Sequence, residues 1–181
     1  MSSEVDVFCG VDGFSVDAEE ISAVVACLRK NAPWAFPAGT LSVAFLGDEE
    51  ICEMHEAFLG DPSKTDVITF PGDEIFTHPK NRIDGNAAPE SENASDKDIA
   101  AGDAFAGEIC VCVDQAHRMA KELNVPEADE LLLYLVHGWL HLAGLDDIEE
   151  ADRREMRSAE AFALNLLREK NLAPLKTPVF P

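Results

Sequence analysis

His137 and His141 stand four residues apart in the run His137-Gly138-Trp139-Leu140-His141-Leu142-Ala143-Gly144-Leu145-Asp146-Asp147. On a helix that spacing puts both imidazoles on one face, which is how a helix offers two nitrogens to one zinc ion. Gly144 can end such a helix in a left-handed cap and turn the chain back. Asp146 and Asp147 follow the turn directly and can bring a third ligand to the same ion. Leu135, Val136, Leu140 and Leu142 make the helix apolar, so the imidazoles need partners: unpaired burial of a polar group is costly. One metal ion satisfies both rings, and the order His-x3-His-x2-Gly-x2-ligand predicts it.

The same run excludes a chemistry. Metalloproteases of the zincin type place Glu directly after the first His as general base, and here that residue is Gly138. A metal can still activate water without that Glu, but a base must then come from elsewhere. A peptidase is therefore the weakest of the readings a metal site allows.

These residues need a scaffold, and the chain is long enough for one domain: 181 residues, 46% of them hydrophobic. No run approaches membrane-spanning length, and the acidic Met1-Ser2-Ser3-Glu4 start is not read as a signal peptide. The five cysteines lack zinc-finger spacing. Cys110 and Cys112 alternate with Ile109, Val111 and Val113, and strand neighbours are expected to point to opposite faces, which makes the pair a poor disulfide or chelate couple. A reduced, cytoplasmic protein is expected. The net charge of −21 argues against a general nucleic-acid binder. Local basic candidates remain at Arg29-Lys30, at Arg118 with Lys121, and at Arg153-Arg154-Arg157, although acidic residues surround the last.

Strands are expected at Val5–Cys9, Leu41–Leu46, Asp66–Phe70 (stopped by Pro71) and Gly107–Val113. Asp17 should cap a helix through Lys30, Asp48 a second to about Phe58, and Asp114 a third to about Leu123. The His-bearing helix should start near Pro126. A long last helix should run from Glu149 to Lys170, with Met156, Phe162, Leu166 and Leu167 packing. Hydrophobic spacing disappears between Gly72 and Gly107, so residues at about 73–106 are expected to form a flexible insertion between neighbouring strands of one sheet. His78 falls there, and His55 and His117 are expected on helix surfaces. The pattern predicts one α+β domain over residues 1–181, a small mixed sheet packed with helices, with the metal site on a central helix and the turn after it.

Three segments together resemble the YbeY family of bacterial rRNA maturation endoribonucleases. Thr65-Asp66-Val67-Ile68-Thr69-Phe70-Pro71 is similar to its TDVLSFP strand, Gly107-Glu108-Ile109-Cys110-Val111-Cys112 to its GDIxI strand, and the His137–Asp147 run to HGxLHLxGxDH. Met156 and Glu160 fall where the family has M-x3-E. The resemblance implies one zinc ion on His137, His141 and Asp147, no small-molecule cofactor, and single-stranded RNA cleavage in ribosome biogenesis. Its partners would be an rRNA precursor and ribosomal components. Asp147 stands where the family has a third His, and a carboxylate binds zinc at a similar distance while making the site less positive. Asp146 matches the neighbouring Asp, a candidate for orienting a ligand, handling a proton or capping the turn. Leu59 stands where the family has Arg, and Phe58 where it has Tyr. Lys64 is a candidate phosphate contact, or else a solvent-exposed turn residue. Both departures predict slower RNA cleavage. A ribosome-associated factor with a purely structural zinc is the alternative from a different class.

Overall fold

The computed structural model describes residues 5–72 and 104–180. Its order is β1 (Val5–Cys9), α1 (Ala18–Asn31), β2 (Thr40–Leu46), α2 (Asp48–Leu59), β3 (Val67–Pro71), β4 (Phe105–Cys112), α3 (Val113–Leu123), α4 (Glu127–Leu142) and α5 (Glu150–Glu169). The sheet runs β1-β2-β4-β3, parallel except for antiparallel β3 at one edge. It is the α+β architecture the sequence predicts. β3 and β4 pair from Val67↔Val111 to Pro71↔Gly107, so the segments flanking the expected insertion are indeed neighbours. That insertion lies outside the described residues from 73 to 103. At its far boundary the expectation needs correcting, because Phe105 and Ala106 already belong to β4.

One face of the sheet carries the main core. Leu41, Val43, Phe45, Ile109 and Val111 pack there with Ile21, Val24, Val25 and Leu28 of α1 and with buried residues of α4 and α5. The other face is smaller: Ala44, Leu46, Ile68, Cys110 and Cys112 lie under Ile51 of α2. Cys110 and Cys112 thus share a face, contrary to the expectation, because residues two apart on a strand point the same way. Both are free thiols, as are the other three cysteines. On α5, Met156 and Leu167 are buried and Leu166 half-buried, but Phe162 is exposed, with its ring edge-on to Trp34.

Two helix starts differ from the sequence reading. Asp17 caps α1 through its bond from the Glu19 amide. Asp48, however, is the first helical residue of α2, and Gly47 is the cap. Asp114 lies inside the first turn of α3, and its carboxylate accepts the Asp48 amide at 2.8 Å. The acid expected to cap α3 therefore caps α2, which frees the Asp48 carboxylate to bind Arg118 through both oxygens, at 2.6 and 2.8 Å.

α4 positions the site. Acidic Glu127, Asp129 and Glu130 in its first turn suit the helix dipole, and the helix is buried on most of its surface. Gly138 lets it lie against the sheet. A Cβ there would come within 2.6 Å of Ile109 Cγ2 and 2.9 Å of Val67 Cγ2. Among the described residues no helix is long and apolar enough to cross a membrane.

Candidate metal centre

The close approach at Gly138 fixes the rotation of α4, and His137 and His141 project from it with ring centroids 4.5 Å apart and planes at 88°. The helix ends as the sequence implies. Gly144 takes φ +96, its amide bonds the His141 carbonyl at 2.9 Å, and the Leu145 amide bonds the Leu140 carbonyl at 3.0 Å. This is a Schellman closure, in which glycine supplies the left-handed residue. It returns the chain so that Asp147 faces the two rings. The Asp147 oxygens lie 3.7 Å from His137 Nε2 and 3.9 Å from His141 Nε2. The two Nε2 atoms are 2.9 Å apart. Ligand atoms of His137, His141 and Asp147 all fall within 4.8 Å of one another, a group that could hold one metal ion.

The outer nitrogens determine which atoms face inward. His137 Nδ1 meets Glu160 Oε1 at 2.7 Å, and His141 Nδ1 meets the Leu145 carbonyl at 3.1 Å. An ionised carboxylate and a carbonyl only accept hydrogen bonds, so both Nδ1 atoms carry the proton. In the neutral rings both Nε2 lone pairs then point into the same small space, where they repel unless a cation or a proton lies between them. The electrostatics follow. Burial works against charge on His137, but the Glu160 hydrogen bond and the carboxylates of Asp66, Glu160 and Asp147 outweigh it and raise its pKa. Burial, then the neighbouring His137, lowers that of His141.

The remaining sequence candidates separate. Asp146 is exposed and accepts the Asp147 amide at 2.7 Å, so it shapes the turn that carries Asp147. Lys64 is paired with Asp48 at 2.5 Å, and that carboxylate is shared with Arg118. His55 bonds the Ser63 carbonyl and His117 pairs with Glu127, both apart from the group. Leu59 is the last residue of α2. Two participants escaped the sequence reading. Glu160 was visible only as part of M-x3-E, with no role attached, and its contact with His137 spans two helices. The Leu145 carbonyl is a backbone atom that no residue type announces.

The profile of the family described as endoribonuclease YbeY matches residues 14–168. The chain belongs to the YbeY family. Among curated relatives, endoribonuclease YbeY of Acidothermus cellulolyticus is 32% identical over 132 residues, 73% of each chain. That of Corynebacterium efficiens is 33% identical over 156 residues, 86% of this chain and 70% of the relative. The solution structure of TM1509 from Thermotoga maritima matches this YbeY-family fold with a TM-score of 0.52 at 23% identity, over 94% of this chain and 93% of that one. Membership supports an endoribonuclease, hence a hydrolase with RNA as its substrate.

Proposed function

We propose that this YbeY-family chain is a metal-dependent, single-strand-specific endoribonuclease acting on an rRNA precursor in ribosome biogenesis, in the cytoplasm and in contact with ribosomal components. One zinc ion would be held by His137, His141 and Asp147. The observation that carries the metal is the pair of inward-facing Nε2 atoms 2.9 Å apart, with both Nδ1 protons committed elsewhere. A tetrahedral ion with bonds of ~2.0–2.1 Å separates its ligand atoms by about 3.4 Å. The two Nε2 atoms, 2.9 Å apart, and the Asp147 Oδ2 atom, 3.7 Å from His137 Nε2, lie on either side of that value.

When bound, zinc supplies a Lewis acid for a phosphoryl oxygen or for water. The chain's own residues hold and orient. Glu160 and the Leu145 carbonyl fix the ring tautomers, an arrangement that also raises ligand basicity. Asp146 fixes the turn. Asp147 brings charge that a third imidazole would lack, which makes the site less electropositive.

A structural zinc is the competing reading. Among the described residues no fourth His, Cys, Asp or Glu joins the group. Closed structural sites have four protein ligands, whereas catalytic sites keep one position open, so the three-residue set favours the enzyme. A peptidase of the zincin type is disfavoured for a physical reason: a Glu at 138 would run into Ile109 and Val67. The test is cleavage of a precursor rRNA transcript by zinc-loaded protein, with and without chelator. Cleavage confined to single-stranded regions and lost with chelator is expected. RNA left intact by fully zinc-loaded protein would leave the structural-zinc factor as the better account.

A further inference from the structure

An RNA substrate must come up to the metal centre of a chain with 14 Lys and Arg against 35 Asp and Glu. Several of the cations are already engaged. Lys64 and Arg118 share the Asp48 carboxylate, and Arg29 lies over the Phe36 ring with a bond to the Gly39 carbonyl. The first half of α5, by contrast, carries Arg153, Arg154 and Arg157 within five residues.

This helix borders the metal centre at two points. Glu160 reaches His137 Nδ1. Seven residues earlier, Arg153 donates to the Ile148 carbonyl at 2.6 Å and to the Asp147 carbonyl at 3.4 Å, clamping the turn that carries the third ligand. At 3.6 residues per turn, positions 153, 157 and 160 fall within an arc of about 60°. Arg157 therefore sits on the face whose two ends both touch the site, one turn before Glu160. Its side chain is exposed and makes no ion pair or hydrogen bond among the described residues, whereas Arg153 and Arg154 each reach Glu150. A guanidinium free to fork onto two oxygens is the group suited to a phosphate.

We propose that Arg157 contacts a backbone phosphate of single-stranded RNA at the rim of the metal centre, beside the turn that Arg153 holds. The proposal rests on the endoribonuclease reading for its substrate. It gives a binding role to α5 and places a cation near the site without requiring one at position 59. Arg157 acts on the strand and not on the metal, so it governs affinity and salt dependence and leaves zinc binding alone.

The experiment measures binding separately from cleavage. Fluorescence anisotropy follows a labelled single-stranded oligoribonucleotide over a series of KCl concentrations, with chelator present to keep the strand intact. KM and kcat are then measured on zinc-loaded protein. Arg157→Gln should weaken binding about five- to tenfold at low salt and flatten the slope of log affinity against log salt by about 0.7, the amount for one phosphate contact on a single strand. KM should rise by a similar factor, with kcat and zinc content unchanged. Arg157→Lys should keep the slope and recover part of the affinity, because it retains the charge without the fork. Arg168→Gln removes the same charge from the far end of α5 and should change neither. An unchanged salt slope in Arg157→Gln, or an equal loss in Arg168→Gln, overturns the proposal. Failure of the wild type to cleave RNA with zinc bound would instead count against the endoribonuclease reading, because the anisotropy result stands without turnover.

Discussion

The smallest unit of function here is an imidazole with one proton on the correct nitrogen. His137 and His141 have equivalent positions in the motif, but different partners hold them: a carboxylate from α5 for one, a backbone carbonyl for the other. Only the first can be removed by substitution. Glu160→Gln keeps the shape but removes the negative charge beside His137 and brings an amide that can donate as well as accept. Zinc affinity should fall about 10- to 100-fold, the usual effect of losing such a partner, as measured by competition with a chelating dye. An unchanged affinity would mean that His137 needs no orienting carboxylate. At this scale the sequence was informative about which three side chains come together and silent about their supports. Two His and a following acid form a local pattern that spacing reveals. Glu160 lies 23 residues beyond His137, and only the packing of α5 on α4 brings it there. Lys64, open in the sequence between a phosphate contact and a solvent-exposed turn residue, has an exposed side chain, and an acid 16 residues earlier engages it.

Among the elements, α4 is the one whose placement the site cannot do without, and Gly138 sets that placement. Gly138→Ala would force a methyl group to within 2.6 Å of Ile109 Cγ2. Overpacking of this kind typically costs 1–3 kcal/mol, so urea denaturation should show a loss of about 2 kcal/mol, with zinc binding weakened as the rings shift. No change in midpoint would mean that α4 can slide freely on the sheet. The strands and helices were readable because period-two and period-3.6 patterns are local, and the α+β class followed from their order. The caps were less readable. Asp48 and Asp114 both have the residue type of a cap, and only the fold shows that the second serves the first helix of the pair.

For the molecule as a whole, the Asp48–Arg118 pair ties α2 to α3 across the end of the sheet. The bidentate bond from Arg118, joined by Lys64, holds the Asp48 carboxyl well below the usual carboxylate range against the opposing cost of its burial. A carboxylate depressed in the folded state stabilises above its unfolded pKa and loses that contribution as pH falls towards its folded value. Asp48→Asn should therefore cost ~1 kcal/mol at pH 7, discounted for the partial exposure of Arg118. The difference from wild type should hold down to about pH 5 and shrink below about pH 4. A gap that widens in acid would contradict the assignment. The register of β3 on β4 leads to a second expectation at this scale. Their pairing runs to Pro71↔Gly107, and the Gly72 amide bonds the Ala106 carbonyl, so a loop of about four residues can close the hairpin. We propose that residues 73–103 are an insertion in a single domain. Replacing them with such a loop should leave the melting temperature within a few degrees. A large drop would show that the segment belongs to the core.

The central claim is that one ion on His137, His141 and Asp147 turns this fold into a ribonuclease. It is tested most directly by titrating zinc into metal-stripped protein while following cleavage of a single-stranded RNA. Activity should be absent at the start, rise in proportion to added zinc and level off at about one ion per chain, as a single three-ligand site requires. His141→Ala should remain inactive throughout the same titration. Cleavage by the stripped protein, or cleavage by His141→Ala that rises with zinc like the wild type, would contradict it.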